Sequence, residues 1–122
     1  MSLIGCQEKP AFGWSAEYLR KLISPEEAVR HVRSHSHVVS SIGPTEPYGL
    51  IEALYRRRKD LSEVTIHHNL PMRPYSYLTQ DCSPHFRVNT LFNSQHSRKG
   101  VNEGWCNYTP NNFHELPIFL SE

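Results

Sequence analysis

The stretch of this sequence best suited to bind a small molecule is Gly43-Pro44-Thr45-Glu46-Pro47. It follows a short apolar run that predicts a strand and precedes a segment with helical periodicity. In open α/β sheets, ligands bind at the carboxyl ends of the strands, where such loops lie. Gly43 allows a ligand to approach the backbone closely, and the start of a helix offers free N–H groups to an anion or a carbonyl. The stretch is neither a P-loop nor a dinucleotide-binding fingerprint, because the lysine of the first and the glycine spacing of the second are absent. It is therefore the best site candidate of this sequence, although a Gly-Pro turn between a strand and a helix is more often a plain connection.

The eight histidines raise the question of a metal site. His31 and His35 would share a face of a helix, whereas His35 and His37 would share a face of a strand, and one segment cannot be both. His67 and His68 are adjacent, but the sequence has no HExxH motif, and no cysteine or aspartate joins the histidines at ligand spacing. We predict solvated or capping histidines and no metal ligands. A histidine-based metal protein is the less favoured alternative.

The sequence carries no motif for a serine or cysteine nucleophile. GxSxG is absent, and Cys82 lies in a proline-rich stretch without an active-site signature. Arg98 could hold a carboxylate through two parallel hydrogen bonds, so we include it among the substrate-binding candidates. An exposed arginine at the start of a helix is the alternative.

The number and spacing of the cysteines indicate the compartment. The three cysteines are odd in number and widely spaced, which favours a reducing compartment, and we expect the cytoplasm.

Composition limits the partners of the protein. The chain has 122 residues, 13 basic and 12 acidic side chains and a formal charge of +1, so it offers no electrostatic footprint for nucleic acid or an anionic membrane. No segment approaches the roughly 20 apolar residues that span a bilayer. The apolar fraction of 38% is low for an independent domain and suggests a piece of something larger. We expect a leader or disordered segment at 1–13 and one incomplete domain at 14–122.

The first half of the chain contains the strongest structural signals. Ser24 and Glu27 form a capping box that predicts a helix at 25–33. The β-branched run at 38–42 predicts a buried strand that ends before Gly43. Apolar residues then recur at helical spacing (Pro47, Leu50, Ile51 and Leu54), and a basic cluster at 56–59 closes that helix. A second strand at 64–68 completes a strand–helix–strand unit, which predicts parallel pairing.

The second half is less regular. Three prolines predict a long irregular loop at 69–84, of a length that is often functional or poorly ordered. Alternating apolar residues at 86–92 predict a third strand. A short helix at 97–103 would end at Gly104, and another helix would start near 109–112. The fold class is therefore α/β, with an open, mostly parallel sheet and flanking helices.

The order of these blocks resembles the opening of the acetyl-CoA hydrolase/transferase family, which includes the 4-hydroxybutyrate and butyrate-type CoA-transferases. The resemblance covers nearly the whole chain, from Trp14 to Glu122. The residues that carry it are Tyr18, Lys21, Glu27-Ala28-Val29, Val38-Val39, Gly43, Pro47, Leu50, Ala53-Leu54, Phe86, Phe92, Arg98, Gly104, Tyr108-Thr109-Pro110 and the closing Pro117-Ile118-Phe119-Leu120-Ser121-Glu122.

The resemblance implies an enzyme that moves coenzyme A from an acyl-CoA to a small carboxylate, with no bound cofactor and with the CoA thioester as substrate. In this family a glutamate nucleophile and a glycine-rich CoA-binding loop lie in the C-terminal half. Neither matches a segment here, so we assign no catalytic residue and expect this chain alone to be inactive. By position, Ser41, Ile42, Gly43, Pro44 and Thr45 resemble a loop of the family that lines the acyl or carboxylate pocket, so the resemblance implies that these five residues bind substrate. The full-length protein would be a homo-oligomer. A stand-alone metabolite-binding or regulatory module on the same scaffold is the alternative.

Overall fold

A computed structural model describes residues 13–121 of the chain. The α-helices are α1 (Gly13–Lys21), α2 (Pro25–Ala28), α3 (Tyr48–Arg56), α4 (Arg98–Glu103) and α5 (Leu116–Phe119). The strands are β1 (His37–Val39), β2 (Val64–Asn69), β3 (Phe86–Phe92) and β4 (Cys106–Tyr108). Single turns of 3₁₀-helix occupy Val29–His31, Gly43–Thr45, Arg58–Asp60, Gln80–Cys82 and Phe113–Glu115.

The four strands form one parallel sheet in the order β1-β2-β3-β4. Val38 pairs with Ile66, Ile66 with Val88, and Val88 with Cys106. Helix α3 connects β1 to β2, and α4 connects β3 to β4. The predicted α/β class and the parallel strand–helix–strand unit are confirmed.

One face of the sheet contributes to the hydrophobic core. Val64 and Ile66 of β2 and Phe86 and Val88 of β3 are buried there, together with Ile51, Ala53 and Leu54 of α3 and Val29. The helical periodicity therefore identified the buried face of α3 through Ile51 and Leu54. The other two residues of the predicted apolar stripe are not on this buried face: Pro47 precedes the first helical turn, and Leu50 is 40% exposed.

The capping box at the start of α2 is confirmed, but the helix is shorter than predicted. The Glu27 amide donates to Ser24 Oγ at 3.2 Å, and the Ser24 amide donates to Glu27 Oε2 at 3.0 Å. After Ala28 the chain tightens into a 3₁₀ turn. The Arg57 guanidinium donates to the carbonyls of Val29 (2.5 Å) and Val32 (2.9 Å), so it satisfies acceptors that a longer helix would have used.

Strand β1 is also shorter than the predicted 38–42. It ends at Val39, and the Ser40 amide makes one further bond to the His67 carbonyl at 2.9 Å. The chain then leaves the sheet because the 3₁₀ turn at Gly43–Thr45 begins.

The predicted strand at 86–92 is confirmed, but the predicted alternation of buried and exposed residues is not. Asn89, Thr90 and Leu91 are all buried, since β3 is covered on both faces.

The loop predicted at 69–84 is irregular, apart from one 3₁₀ turn, but it is packed into the protein. Tyr75 and Tyr77 are only 2% and 1% exposed, and Cys82 is buried beside them.

Helix α4 ends before Gly104 as predicted, and Gly104 has a left-handed φ of +80°. Helix α1 was not predicted, and none of its residues is buried. Residues 1–12, most of the expected leader, lie outside the described residues.

Candidate functional site

The carboxyl ends of the strands carry a concentration of buried polar side chains. Ser40 follows β1, His68 and Asn69 end β2, and Thr90 lies near the end of β3. All four are at least 94% buried. Ser40 Oγ, His68 Nε2 and Asn69 Oδ1 have no hydrogen-bond partner within residues 13–121. Buried polar atoms are rarely left unpaired, so this edge of the sheet is suited to a polar ligand.

The predicted substrate loop forms a compact turn beside this edge. Ser41 Oγ donates to the Thr45 carbonyl at 2.5 Å, and Thr45 Oγ1 donates to the Ile42 carbonyl at 2.8 Å. Gly43 is buried with φ +55°, a conformation that favours glycine. Both hydroxyls are therefore used within the turn. Ser41, Pro44 and Thr45 remain exposed on its outer side.

Glu46 fastens this turn to the loop after β2. Its Oε2 accepts from the Met72 amide at 3.1 Å. Its Oε1 is buried without a partner among the described residues, and so is the hydroxyl of Tyr75. Burial and, second, the nearby Glu46 carboxylate raise the pKa of Tyr75 above its ordinary value, although the pair does not meet hydrogen-bond geometry. Tyr75 thus stays protonated and can donate a hydrogen bond to a ligand.

A buried histidine–tyrosine pair lies behind the same edge. His68 Nδ1 is 2.5 Å from the Tyr77 hydroxyl, and neither residue is more than 1% exposed. Burial lowers the pKa of His68 to about 4, with the neighbouring His67 as a smaller cause. Burial also raises the pKa of Tyr77. Both side chains are therefore neutral at pH 7 and can interact with a neighbouring group only as hydrogen-bonding dipoles.

Arg98 lies farther along the same edge. It is the exposed first residue of α4, and its amide donates to the Ser94 carbonyl at 3.0 Å. A cavity between the loops after β2 and β3 separates it from the turn at Gly43–Thr45; its lining includes Met72, Ser94 and His96. The structure thus places the predicted residues along one edge, with Arg98 apart from the other five. Whether these six residues bind substrate stays a prediction.

Sequence reasoning included Glu46 in the candidate loop but not among the substrate-binding residues, and it missed His68, Tyr75 and Tyr77. These four residues supply buried polar groups of the site. A glutamate directly after a Gly-Pro turn was the available signal for Glu46. The two tyrosines gave none, since they lie in a segment without periodicity.

Comparison with known proteins decides the family. The model of the acetyl-CoA hydrolase/transferase N-terminal domain matches residues 4–122. The chain belongs to the acetyl-CoA hydrolase/transferase family. The resemblance drawn from the order of the sequence blocks is thereby confirmed.

Curated relatives in this family are CoA-transferases. Succinyl-CoA:cyclohexane-1-carboxylate CoA transferase of Geobacter metallireducens is 38% identical, and 4-hydroxybutyrate coenzyme A transferase of Clostridium kluyveri is 34% identical, each over 109 residues. The match covers 89% of this chain and 25% of each relative, so the chain spans about a quarter of their length.

A solved structure agrees on the fold. RipA from Yersinia pestis matches with a TM-score of 0.76 and 28% identity, over 88% of this chain and 28% of that one. Point mutants of RipA match with TM-scores up to 0.78 and the same identity.

The described cysteines of this acetyl-CoA hydrolase/transferase domain are buried and poorly suited to act as nucleophiles. Cys82 and Cys106 are free thiols inside the protein. Burial raises the pKa of Cys106 to about 11, so it is not a thiolate at neutral pH. Residues 13–121 contain no group of three or more His, Cys, Asp or Glu side chains placed to hold a metal ion. None of the helices in that range is long and apolar enough to cross a membrane.

Proposed function

We propose that this chain forms the substrate-facing wall of an acyl-CoA:carboxylate CoA-transferase. The observation that carries the proposal is the set of buried, unpartnered polar atoms at the carboxyl edge of β1 and β2, in a chain of a family whose matched relatives are CoA-transferases. The turn at Gly43–Thr45, with the loop that contains Met72 and Tyr75, would line the acyl or carboxylate pocket. Arg98 would lie at its periphery and meet a charged group.

The neutral hydrogen-bond donors of the site fit this role. A thioester carbonyl and a carboxylate both need hydrogen-bond donors, and the hydroxyls of Ser40 and Tyr75 are buried donors without a partner among the described residues. Their burial excludes water and strengthens each hydrogen bond to a bound oxygen. Neutral donors suit a reaction in which the charge on the acyl group changes at each step, because no fixed positive charge would hold one intermediate too tightly.

The reaction itself would use a carboxylate nucleophile, as the family resemblance implies. A glutamate carboxylate attacks the thioester carbon, the C–S bond breaks, and CoA leaves as a thiolate; the product is an acyl–glutamyl anhydride. The thiolate then attacks the glutamyl carbonyl, which releases the first carboxylate and leaves a glutamyl-CoA thioester. The second carboxylate repeats these steps in reverse and leaves as acyl-CoA. We propose that the glutamate comes from outside these 122 residues and that the complete enzyme is a homo-oligomer in the cytoplasm with no bound cofactor.

Two assays test this proposal. The 122-residue chain is first incubated with acetyl-CoA and butyrate, and the formation of butyryl-CoA is followed by chromatography. We expect no turnover, because no nucleophile is assigned here. Turnover by the chain alone would refute the placement of the nucleophile outside it.

A chimera then tests the pocket wall. Residues 4–122 replace the matching segment of the Clostridium kluyveri transferase, and thermal melting establishes that the chimera folds. We expect CoA transfer by the chimera and a loss of about two- to tenfold in kcat/KM for Ser40→Ala and for Tyr75→Phe, the range of one hydrogen bond. Tyr18→Phe on the exposed helix α1 is the matched control. A folded, active chimera that is indifferent to both site substitutions would contradict the proposed wall.

A further inference from the structure

Four hydrogen-bonded side chains, which we call the polar row, cross the sheet on the face opposite the core. His37 Nδ1 of β1 is 2.9 Å from His67 Nε2 of β2. His67 Nδ1 is 3.2 Å from Asn89 Nδ2 of β3. Thr109 Oγ1, just after β4, is 2.9 Å from Asn89 Oδ1. The parallel register brings the row together, since His67 and Asn89 are direct partners across the two central strands.

The contact between the two histidines is a head-on hydrogen bond. The ring planes differ by only 16°, and the ring centroids are 5.2 Å apart, while the facing nitrogens are 2.9 Å apart. The difference between these distances is about twice the radius of an imidazole ring, so both nitrogens lie on the line between the ring centres. The two nitrogens share one hydrogen on that line, and only one of them carries it at a time.

The Asn89 amide sets the direction of every bond in the polar row. Its nitrogen faces His67 and can only donate, so His67 Nδ1 accepts. A neutral His67 then carries its hydrogen on Nε2 and donates to His37 Nδ1. At the other end of the row, Asn89 Oδ1 accepts from the Thr109 hydroxyl. All three bonds therefore run from Thr109 toward His37, whose own hydrogen is on Nε2.

One added proton has an arrangement in which all three bonds are kept. The proton enters from solvent and occupies His67 Nδ1, while the hydrogen on His67 Nε2 crosses to His37 Nδ1. The Asn89 amide turns over, so that its oxygen accepts from His67 and its nitrogen donates to the Thr109 hydroxyl, which can accept as well as donate. The positive charge then lies on the exposed His37. Its charge-assisted bond to His67 is roughly twice as strong as a neutral one.

The surroundings favour a single charge, on His37 rather than on His67. His67 is 8% exposed, and burial, followed by the charge of His37, lowers the pKa of His67. Apart from the two histidines, the residues of 13–121 that line their cavity are apolar, namely Val39, Phe119 and Leu120. No carboxylate of the described residues therefore stabilises an imidazolium at His67.

The other titratable groups near the polar row are neutral or already paired. His68 follows His67 on β2, but its side chain is buried on the core face and is neutral at pH 7. Arg87 precedes Asn89 by two residues on the face of the row, and it is paired with Glu63. Glu63 also contacts His35. The histidine pair is therefore the part of this face that responds to one proton.

We propose that the polar row is a proton-sensitive relay, in which one proton taken up by the histidine pair reverses three hydrogen bonds and carries the state of His37 to Thr109. The responding segment follows β4 and touches the row at both ends. Thr109 is one end, and the Phe119 ring meets the His67 ring edge-on at 6.0 Å. Reversal frees the Thr109 hydroxyl hydrogen to bond elsewhere. The relay does not depend on the proposed acyl pocket.

Nuclear magnetic resonance of the isotope-labelled 122-residue chain tests the relay. Proton–nitrogen correlation spectra report which ring nitrogen carries the hydrogen. At pH 7.5 we expect the Nε2–H form of His67. As the pH falls and His37 takes up a proton, His67 should stay neutral and change to its Nδ1–H form, and the Asn89 side-chain amide signals should shift with the same midpoint. Circular dichroism monitors the fold throughout.

Three outcomes of this titration would overturn the proposal. The first is a His67 that carries its hydrogen on Nδ1 at pH 7.5. The second is a His67 that keeps its hydrogen on Nε2 after His37 is protonated. The third is acid unfolding before any change of tautomer.

Substitutions separate the relay from simple packing. His37→Gln can still accept from His67 Nε2 but takes up no proton, so His67 and the Asn89 amide should lose their tautomer change and their shift. His31→Gln, an exposed histidine outside the row, is the matched control and should keep both. Thr109→Val removes the donor that orients Asn89, so His67 should lose its single tautomer at pH 7.5, and Thr109→Ser should restore it. The same titration of Asn89 in wild type and His37→Gln would contradict the relay.

Discussion

Acidification should destabilise this protein chiefly through His68. Its pKa is lowered from 6.5 to about 4, first by burial and second by His67, so the folded state takes up a proton only well below pH 6. The unfolded chain takes one up near pH 6.5. Because the unfolded state then binds more protons, stability is fully present above pH 6.5 and is lost as the pH falls toward 4.

The size of the effect follows from the two pKa values. A pKa difference of about 2.5 corresponds to about 3 kcal/mol when the loss is complete. At pH 5 the unfolded state is almost fully protonated at this position and the folded state is about one-tenth protonated. The loss between pH 7 and pH 5 is then about 2 kcal/mol. The lowered pKa of His67 acts in the same direction.

The measurement is urea unfolding, followed by circular dichroism at several values between pH 7.5 and pH 5. The variant is His68→Asn, because an asparagine side chain can still reach the Tyr77 hydroxyl. We expect it to be less stable than wild type at pH 7 but to lose about 2 kcal/mol less on acidification. His31→Asn, at an exposed position, should keep the wild-type dependence. Equal losses in wild type and His68→Asn would refute the reasoning.

Three further predictions concern two glycines and one helix cap, and each is checked by urea unfolding at pH 7. Gly100→Ala should destabilise the fold by about 1–3 kcal/mol, because its Cβ would lie 2.6 Å from the Trp105 ring and 2.8 Å from Cys106 Cβ; a change below about 0.5 kcal/mol would contradict this packing. Gly104→Ala should cost about 1 kcal/mol through its φ of +80° alone, since nothing lies within 4 Å of the added atom, and Gly104→Asn should cost less. Ser24→Ala should cost about 1 kcal/mol by removing the cap of α2, while Ser24→Asp should restore it; equal stability of all three would exclude the capping role.

The parts of the fold predicted correctly are those encoded within a few neighbouring residues. Strands β2 and β3 begin with alternating apolar and polar residues, and α3 repeats its apolar residues at helical spacing. The start of α2 and the end of α4 are set by Ser24 and Gly104, whose backbone preferences operate without the rest of the chain. Helix boundaries were predicted incorrectly where they depend on a residue distant in the sequence. Helix α2 is an example, because the Arg57 guanidinium donates hydrogen bonds to the carbonyls of Val29 and Val32 just after the helix ends.

The candidate site was predicted only in part, for a related reason. The loop at 41–45 was found because it joins a predicted strand to a predicted helix. Its hydroxyls are bonded within the turn, however, and the unpartnered polar atoms belong to other residues. Tyr75 comes from a loop without periodicity, and the burial that keeps His68 neutral is not visible in its neighbours along the chain.

The sequence by itself determined the α/β class, the parallel pairing and the family, because these depend on local patterns and on their order along the chain. Only the tertiary structure decided which polar groups share a site. His37 and His67 are thirty residues apart and meet because parallel pairing sets the register of β1 against β2. Ser40 and His68 likewise lie at one edge of the sheet, because the carboxyl ends of the parallel strands β1 and β2 are adjacent there. A register fixes such contacts across the whole sheet at once, and no local stretch of sequence contains that information.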